Sequence, residues 1–231
     1  MAGARRMKTM KRFCGILLAA VVLAAAPFAA LGRAQDKQSL AEIAAEAKRK
    51  KQESTRPIVT NEEMPAAGLP GIQLLRQSAN PPSLAPYEPT PMPLVEAMLQ
   101  LADVQSDDVV FDIGSGDGRI VIAAAELFRA RAVGIEIDSD LAARSRKTIE
   151  EKGLTERVRI IHANALDVDL SPADVVTLYL TPDGLRLLRP HLEATLRPGT
   201  RVVCRTFEID GWTPERIERR ENEPVFLYRV P

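Results

Sequence analysis

Cysteine, histidine and aromatic residues are scarce in this chain of 231 residues, with two Cys, two His, one Trp, three Tyr and six Phe. The pair His162 and His191, with only Cys14 and Cys204 beside them, excludes a cysteine-rich zinc site and argues against a structural zinc, and no metal is expected. A single cysteine, Cys204, lies outside the apolar N-terminal stretch, so a chain cleaved there has no partner for an intramolecular disulfide. With so few aromatics, stacking platforms for single-stranded nucleic acid are thin. Neither a G-x-S-x-G elbow nor an H-E-x-x-H helix is present, which removes two common hydrolase classes. The length suffices for one domain with a short addition, not for a second enzyme domain.

A balanced charge is also missing once the chain is divided. Residues 1–34 hold six of the 31 Lys and Arg and none of the 31 Asp and Glu, so 25 cations face 31 acids in the remainder, a formal charge of −6. A net acidic body has no general attraction for a phosphate backbone, and no nucleic-acid partner is expected.

The first 34 residues have their own character. Arg5, Arg6, Lys8, Lys11 and Arg12 precede Cys14 to Leu31, 18 residues without a charge. Such a run partitions into a bilayer core with its cations on the cytoplasmic side. It reads as a secretory signal, cleaved after Ala34, or as an uncleaved anchor. The chain is then exported or membrane-anchored, and cytoplasmic if this segment does not act as a signal. Residues 36–53 have helical periodicity but little apolar content and read as a solvated helix or tether. Residues 54–93 contain nine of the 17 prolines, which predicts an extended arm. The resulting division is 1–34 leader or anchor, 35–85 charged and Pro-rich linker or arm, and 86–231 folded domain.

From Pro93 the pattern becomes periodic. Leu94, Val95, Met98, Leu99 and Leu101 form a helical stripe. Short apolar runs then alternate with helical stretches. Val109–Phe111, Ala132–Ile135, Val158–Ile161, Val175–Leu180 and Thr200–Phe207 predict strands, and Ile120–Phe128, Ser139–Lys152 and Pro182–Leu196 predict helices. Crossovers of that length require a mainly parallel central sheet with helices on both faces, an α/β, Rossmann-like architecture. Trp212–Glu223 leaves too little room for a helix before a last strand at Val225–Val230, which predicts a hairpin-like pair at the sheet's end.

The sharpest motif is Asp112-Ile-Gly114-Ser-Gly116-Asp117-Gly118-Arg119, where a strand runs into a helix. The three glycines allow a tight turn and close approach of a ligand. A dinucleotide fingerprint spaces its glycines G-x-G-x-x-G, and a pyrophosphate needs bare amides. Here Asp112 and Asp117 repel phosphate and suit a cationic group such as an ammonium or sulfonium. Glu136, at the end of the next strand, stands where a carboxylate accepts both hydroxyls of a ribose.

These residues resemble the class I S-adenosylmethionine-dependent methyltransferases, over roughly Pro93 to Val230. The longer string Phe111 to Ala124, with Pro86-Tyr87-Glu88-Pro89-Thr90-Pro91 upstream, resembles a narrower group that includes protein-lysine methyltransferases acting on the membrane rotor subunit of ATP synthase. The resemblance implies that Asp112, Gly114, Gly116, Asp117 and Gly118 surround the methionine end of S-adenosylmethionine and that Glu136 holds the ribose. It further implies that Tyr87 and Thr90 close the pocket from the arm. Near the adenine amine, where many members carry an acid, this chain has Asn164, with Asp167 as a substitute or a turn cap. His162 is expected to line the adenine region, and His191 to be a packing residue. At the exit of the fourth strand Tyr179 is the candidate catalytic residue, orienting the acceptor, with a core aromatic as the simpler alternative. Tyr179-Leu-Thr-Pro182 lacks the Asn/Asp-Pro-Pro-aromatic pattern of amide and adenine methylation.

The expected function is methyl transfer to a protein lysine or a small molecule. The alternative is a noncatalytic exported or envelope domain that retains the fold and binds a nucleoside-like ligand or a partner protein. S-adenosylmethionine is a cytosolic compound, and a leader that exports the domain separates the two.

Overall fold

The computed structural model describes residues 69, 71–75, 82–220 and 222–231. The apolar run Cys14–Leu31 and the tether at 36–53 lie outside the described residues. Among the described residues no helix is long and apolar enough to cross a membrane.

The elements follow in chain order as α1 (Met92–Leu101), β1 (Val109–Ile113), α2 (Arg119–Phe128), β2 (Arg131–Glu136), α3 (Ser139–Glu151) and β3 (Val158–His162). A single 3-10 turn (Ala165–Asp167) leads to β4 (Val175–Leu178), α4 (Pro182–Thr195), β5 (Arg201–Arg205), β6 (Arg216–Arg220) and β7 (Glu223–Arg229). The sheet order is β3-β2-β1-β4-β5-β7-β6. β1 to β5 are parallel, β7 runs antiparallel to β5, and β6 pairs antiparallel with β7. The mainly parallel α/β sheet and the terminal hairpin are those expected from the sequence.

Local chemistry explains where the helices begin. Pro91 and Pro93 flank the start of α1, where the missing N–H groups cost nothing. The Asp138 carboxylate accepts from the amides of Asp140 and Leu141, both at 2.9 Å, and starts α3. Thr181 Oγ1 accepts from Gly184 N at 3.1 Å and starts α4, with Pro182 at its first position.

Alternate strand residues face opposite layers. Val110, Val175, Val203 and Leu227 pack under α1, α2 and α3, whereas Phe111, Val176, Cys204 and Tyr228 pack toward α4. Among the described residues the second face therefore carries one helix, α4, and the arm packs beside it. Ile72 and Leu84, from the stretch read as linker, are buried in that layer. Leu74 bridges Val168, with Leu75 N donating to Asp167 O at 2.7 Å and Asp169 N to Gln73 O at 2.8 Å. Burying Leu84 fully is worth roughly 1.5–3 kcal/mol, so the arm packs on its apolar residues as well as its backbone.

β4 ends at Leu178, two residues before the expected end. Its neighbours Ile113 and Cys204 close the register there, and Tyr179-Leu180 leave the sheet toward the site.

Candidate active site

Parallel strands that reverse order at β1 and β4 leave a crevice at their C-terminal ends, and ligands bind at such switch points. A cavity of about 410 Å³ occupies that position, a size suited to a small-molecule ligand. Its walls come from the arm, the β1–α2 turn, the ends of β2 and β3 and the exit of β4.

The turn after β1 is clamped onto β2, because Gly114 N and Ser115 N both donate to Ile135 O, at 2.9 and 3.0 Å. Gly116 N then donates to Glu136 Oε2 at 2.6 Å, and Asp138 N donates to Glu136 Oε1 at 2.8 Å. Glu136 is thus buried and gripped on both oxygens, each of which keeps a lone pair for a ligand hydroxyl. Gly116 is required by contact: with φ +56°, a Cβ there lies 2.7 Å from Tyr87 Cε2, so the ring rests on the bare backbone.

Asp112 sits opposite Thr177 in the β1–β4 register, and Thr177 Oγ1 donates to its Oδ1 at 2.7 Å. Burial pushes its carboxyl up to about 7, against the hydrogen bond from Thr177 and with help from the negative charges of Glu136 and Asp117. The acid is poised to ionise when a cation arrives. Ser115 Oγ, also in the cavity wall and buried, has no hydrogen-bond partner among the described residues.

Asp117 is placed differently from its partner in the motif. Arg119 grips it through Nε and Nη2, at 2.9 and 2.6 Å, and Arg119 Nη1 donates to Thr90 O at 2.8 Å. Burial raises the Asp117 carboxyl, but the hydrogen bonds and charge of Arg119 outweigh it and hold the group below the usual range. Its charge is spent on tying the arm to the turn. Gly118 lies outside the cavity wall; with φ +80° it opens α2 and faces Ser145, whose Cβ lies 3.0 Å from where its own would be.

The arm carries Tyr87 and Thr90 to the cavity. Tyr87 is half exposed over Gly116, and Thr90 is buried. The arm is also held at Leu84, whose carbonyl accepts from Thr181 Oγ1 at 2.9 Å.

At the β3 end, Ala163, Asn164 and Ala165 line the cavity. Asn164 caps the 3-10 turn, accepting from Leu166 N at 3.2 Å and donating from Nδ2 to Asp167 Oδ2 at 3.2 Å. Asp167 and His162 are absent from the wall. Asp167 is buried behind Asn164, and His162 contacts Ile137 O at 3.1 Å through Nε2. His191 Nε2 meets Val168 O at 2.8 Å, a packing contact.

Tyr179 is half-buried in the wall at the exit of β4. Arg205 Cζ lies 4.0 Å from its ring centroid. Burial raises the Tyr179 phenol, the Arg205 charge partly opposes this, and the Glu88 charge adds to it, so the group stays neutral. Arg205 in turn forks onto Glu223, at 2.7 and 2.9 Å, and donates to Thr90 Oγ1 at 3.3 Å. Sequence reasoning missed Arg205 and Glu223, because no local spacing joins β5 and β7 to the arm. Glu88, by contrast, is visible inside the Pro86–Pro91 string.

The likeness to known proteins matches this geometry. A model of the family described as the ANTKMT methyltransferase domain matches residues 112–216. A protein-lysine N-methyltransferase of Saccharolobus islandicus is 45% identical over 150 residues, covering 63% of this chain and 93% of that protein. An adenine nucleotide translocase lysine N-methyltransferase of Mus musculus is 32% identical over 145 residues and covers 63% of each chain. The crystal structure of an RNA methyltransferase from Salinibacter ruber with S-adenosyl-L-homocysteine superposes at a TM-score of 0.61, with 46% identity, covering 62% of this chain and 94% of that one. A noncatalytic role is not favoured by these relatives. With this fold and these relatives, the chain belongs to the class I S-adenosylmethionine-dependent methyltransferases, in the family of the archaeal protein-lysine enzyme.

Proposed function

We propose that this enzyme methylates the side-chain amine of a protein lysine, with S-adenosylmethionine in the cavity at the β1–β4 switch point. The observation that carries the reading is one cavity lined by Glu136, Asp112 and Ser115 and also by Tyr179 at the exit of β4. We read the first three as facing the cofactor and the neutral phenol of Tyr179 as facing the acceptor.

The residues present fit the cofactor. Glu136 offers lone pairs to the ribose hydroxyls, Asp112 faces the ammonium of the methionine end, and Asn164 with its alanine neighbours borders the base. When bound, S-adenosylmethionine would supply an activated methyl on a sulfonium, with the thioether as leaving group, to an amine that has given up its proton to solvent before transfer. The protein's work is orientation and exclusion of water. The clamped turn and the arm hold the donor end, and Tyr179 directs an incoming N–H by accepting it on its hydroxyl. A lysine acceptor is supported by the names of the archaeal and mouse relatives. The RNA named for the bacterial structure is the competing acceptor, and the net acidic body disfavours it.

Incubating the protein with methyl-labelled S-adenosylmethionine and a cell extract tests this. Label is expected in protein and on lysine after hydrolysis. Label in the RNA fraction, resistant to protease, overturns the lysine reading.

The location belongs to the same proposal. The basic head and the apolar run Cys14–Leu31 support contact with a membrane. A fusion of residues 1–50 to a reporter active only outside the cytosol reads the topology, and a silent reporter returns the domain to the cytosol.

A further inference from the structure

The cavity has one polar corner that the cofactor reading leaves unused. It is built by Glu88 of the arm and Tyr179 of the β4 exit, both in the wall. The other wall acids are already engaged. Asp117 is paired with Arg119, Glu136 holds two backbone amides, Asp112 takes the Thr177 hydroxyl, and Asp138 caps α3. Glu88 is exposed at the rim and shares the cavity wall with Tyr179, whose phenol donates to its carboxylate.

The neighbourhood of Tyr179 is tightly determined. Arg205, with its side chain 4% exposed, covers one face of the ring and is itself fixed by the two bonds to Glu223 and the bond to Thr90. A guanidinium against an aromatic face is held by the ring quadrupole. The guanidinium closes that face of the ring, while Tyr179 itself lines the cavity. Among the described residues of the wall the cation is Arg119, and it is spent on Asp117. An ammonium entering here meets a carboxylate and a phenol oxygen without facing an unpaired positive charge.

We propose that Glu88 and Tyr179 form the acceptor subsite, that it takes a primary ammonium on a flexible chain, and that Arg205 is the positioning residue that holds Tyr179 in it. The proposal rests on the lysine reading above and adds the groups that recognise the acceptor. A carboxylate at the rim captures the charged form from water, and the phenol deeper in accepts an N–H as the chain advances.

The test uses the full chain, methyl-labelled S-adenosylmethionine and poly-L-lysine as the acceptor. Glu88→Gln is expected to raise the KM for poly-L-lysine about tenfold, the loss of one charge-assisted contact, with cofactor affinity within about twofold of wild type. Glu96→Gln removes the same charge from the exposed side of α1 and is expected to leave that KM unchanged. Arg205→Lys, which keeps a cation over the ring, is expected to retain more of the acceptor KM than Arg205→Gln. Equal effects of Glu88→Gln and Glu96→Gln, or none from either, overturn the subsite. Wild-type protein that binds the cofactor yet leaves poly-L-lysine unlabelled overturns the lysine reading, and the subsite falls with it. Should the Arg205 variants fail to fold, the paired Glu variants still decide the subsite.

Discussion

Arg205 lies 4.0 Å from the ring centroid of Tyr179 while both of its terminal nitrogens and Nε are engaged elsewhere, by Glu223 and Thr90. One buried guanidinium thus joins β5, β7, the β4 exit and the arm. Replacing it with alanine strands Glu223 and frees the arm at Thr90. Because Glu223 is about a third exposed, water screens part of the loss. Arg205→Ala is expected to cost about 1–3 kcal/mol in urea denaturation, and a change below the error of the midpoint contradicts the role.

Glu136 serves the loop as well as the ligand. Glu136→Ala removes the acceptor for Gly116 N and Asp138 N together with the ribose contact proposed for it. S-adenosylmethionine binding by calorimetry is expected to weaken by about 1–3 kcal/mol. Glu136→Gln keeps one oxygen and is expected to fall between wild type and alanine. Wild-type affinity in the alanine variant removes Glu136 from the site.

Asp112 predicts a pH dependence with a definite sign. Its folded-state value, raised by burial to about 7 from an ordinary 3.8, favours the protonated form in the native protein. The stability this contributes is complete below the ordinary value and is lost as pH rises through about 7. A cationic ligand favours the ionised form, so binding releases a proton below that point. Affinity for S-adenosylmethionine is expected to rise by up to about tenfold per pH unit below about 7 and to level off above it. Asp112→Asn is expected to flatten this profile, and an identical slope in the variant places the titrating group elsewhere.

The arm depends on Gly184 as closely as on Thr181. A Cβ at Gly184 comes 2.0 Å from Leu84 O, which is backbone and has no flexible end to move. Gly184→Ala is therefore expected to lift residues 82–90 from α4. Limited proteolysis within residues 82–90 is expected to accelerate, while the amides of β1 and β4 keep their exchange protection. Unchanged cleavage across the arm shows that it is not seated on α4.

Much of this is legible in the residues themselves. The strand–helix alternation declares the parallel sheet, since an apolar run covered on both faces and a helical stripe differ in period. The break at Trp212–Glu223 foretells the β6–β7 hairpin. The glycine turn and Glu136 locate the cavity because the motif is contiguous and the acid sits one strand later, both properties of local order along the chain. Other expectations shift once side chains have neighbours. Asp112 and Asp117 look alike in sequence, yet one is buried against Thr177 and the other is neutralised by Arg119. Asp167 and His162 read as site residues and lie outside the wall.

The sequence by itself determined the layer architecture, the order of elements and the place of the turn, because periodicity, helix caps and glycine tolerance act over a few residues. Tertiary structure alone decided which charges are spent, that Leu84 anchors the arm on Gly184, and that Arg205 stands over Tyr179. Those contacts join segments tens to more than a hundred residues apart, and burial, which sets their strength, exists only after the sheet has closed around them.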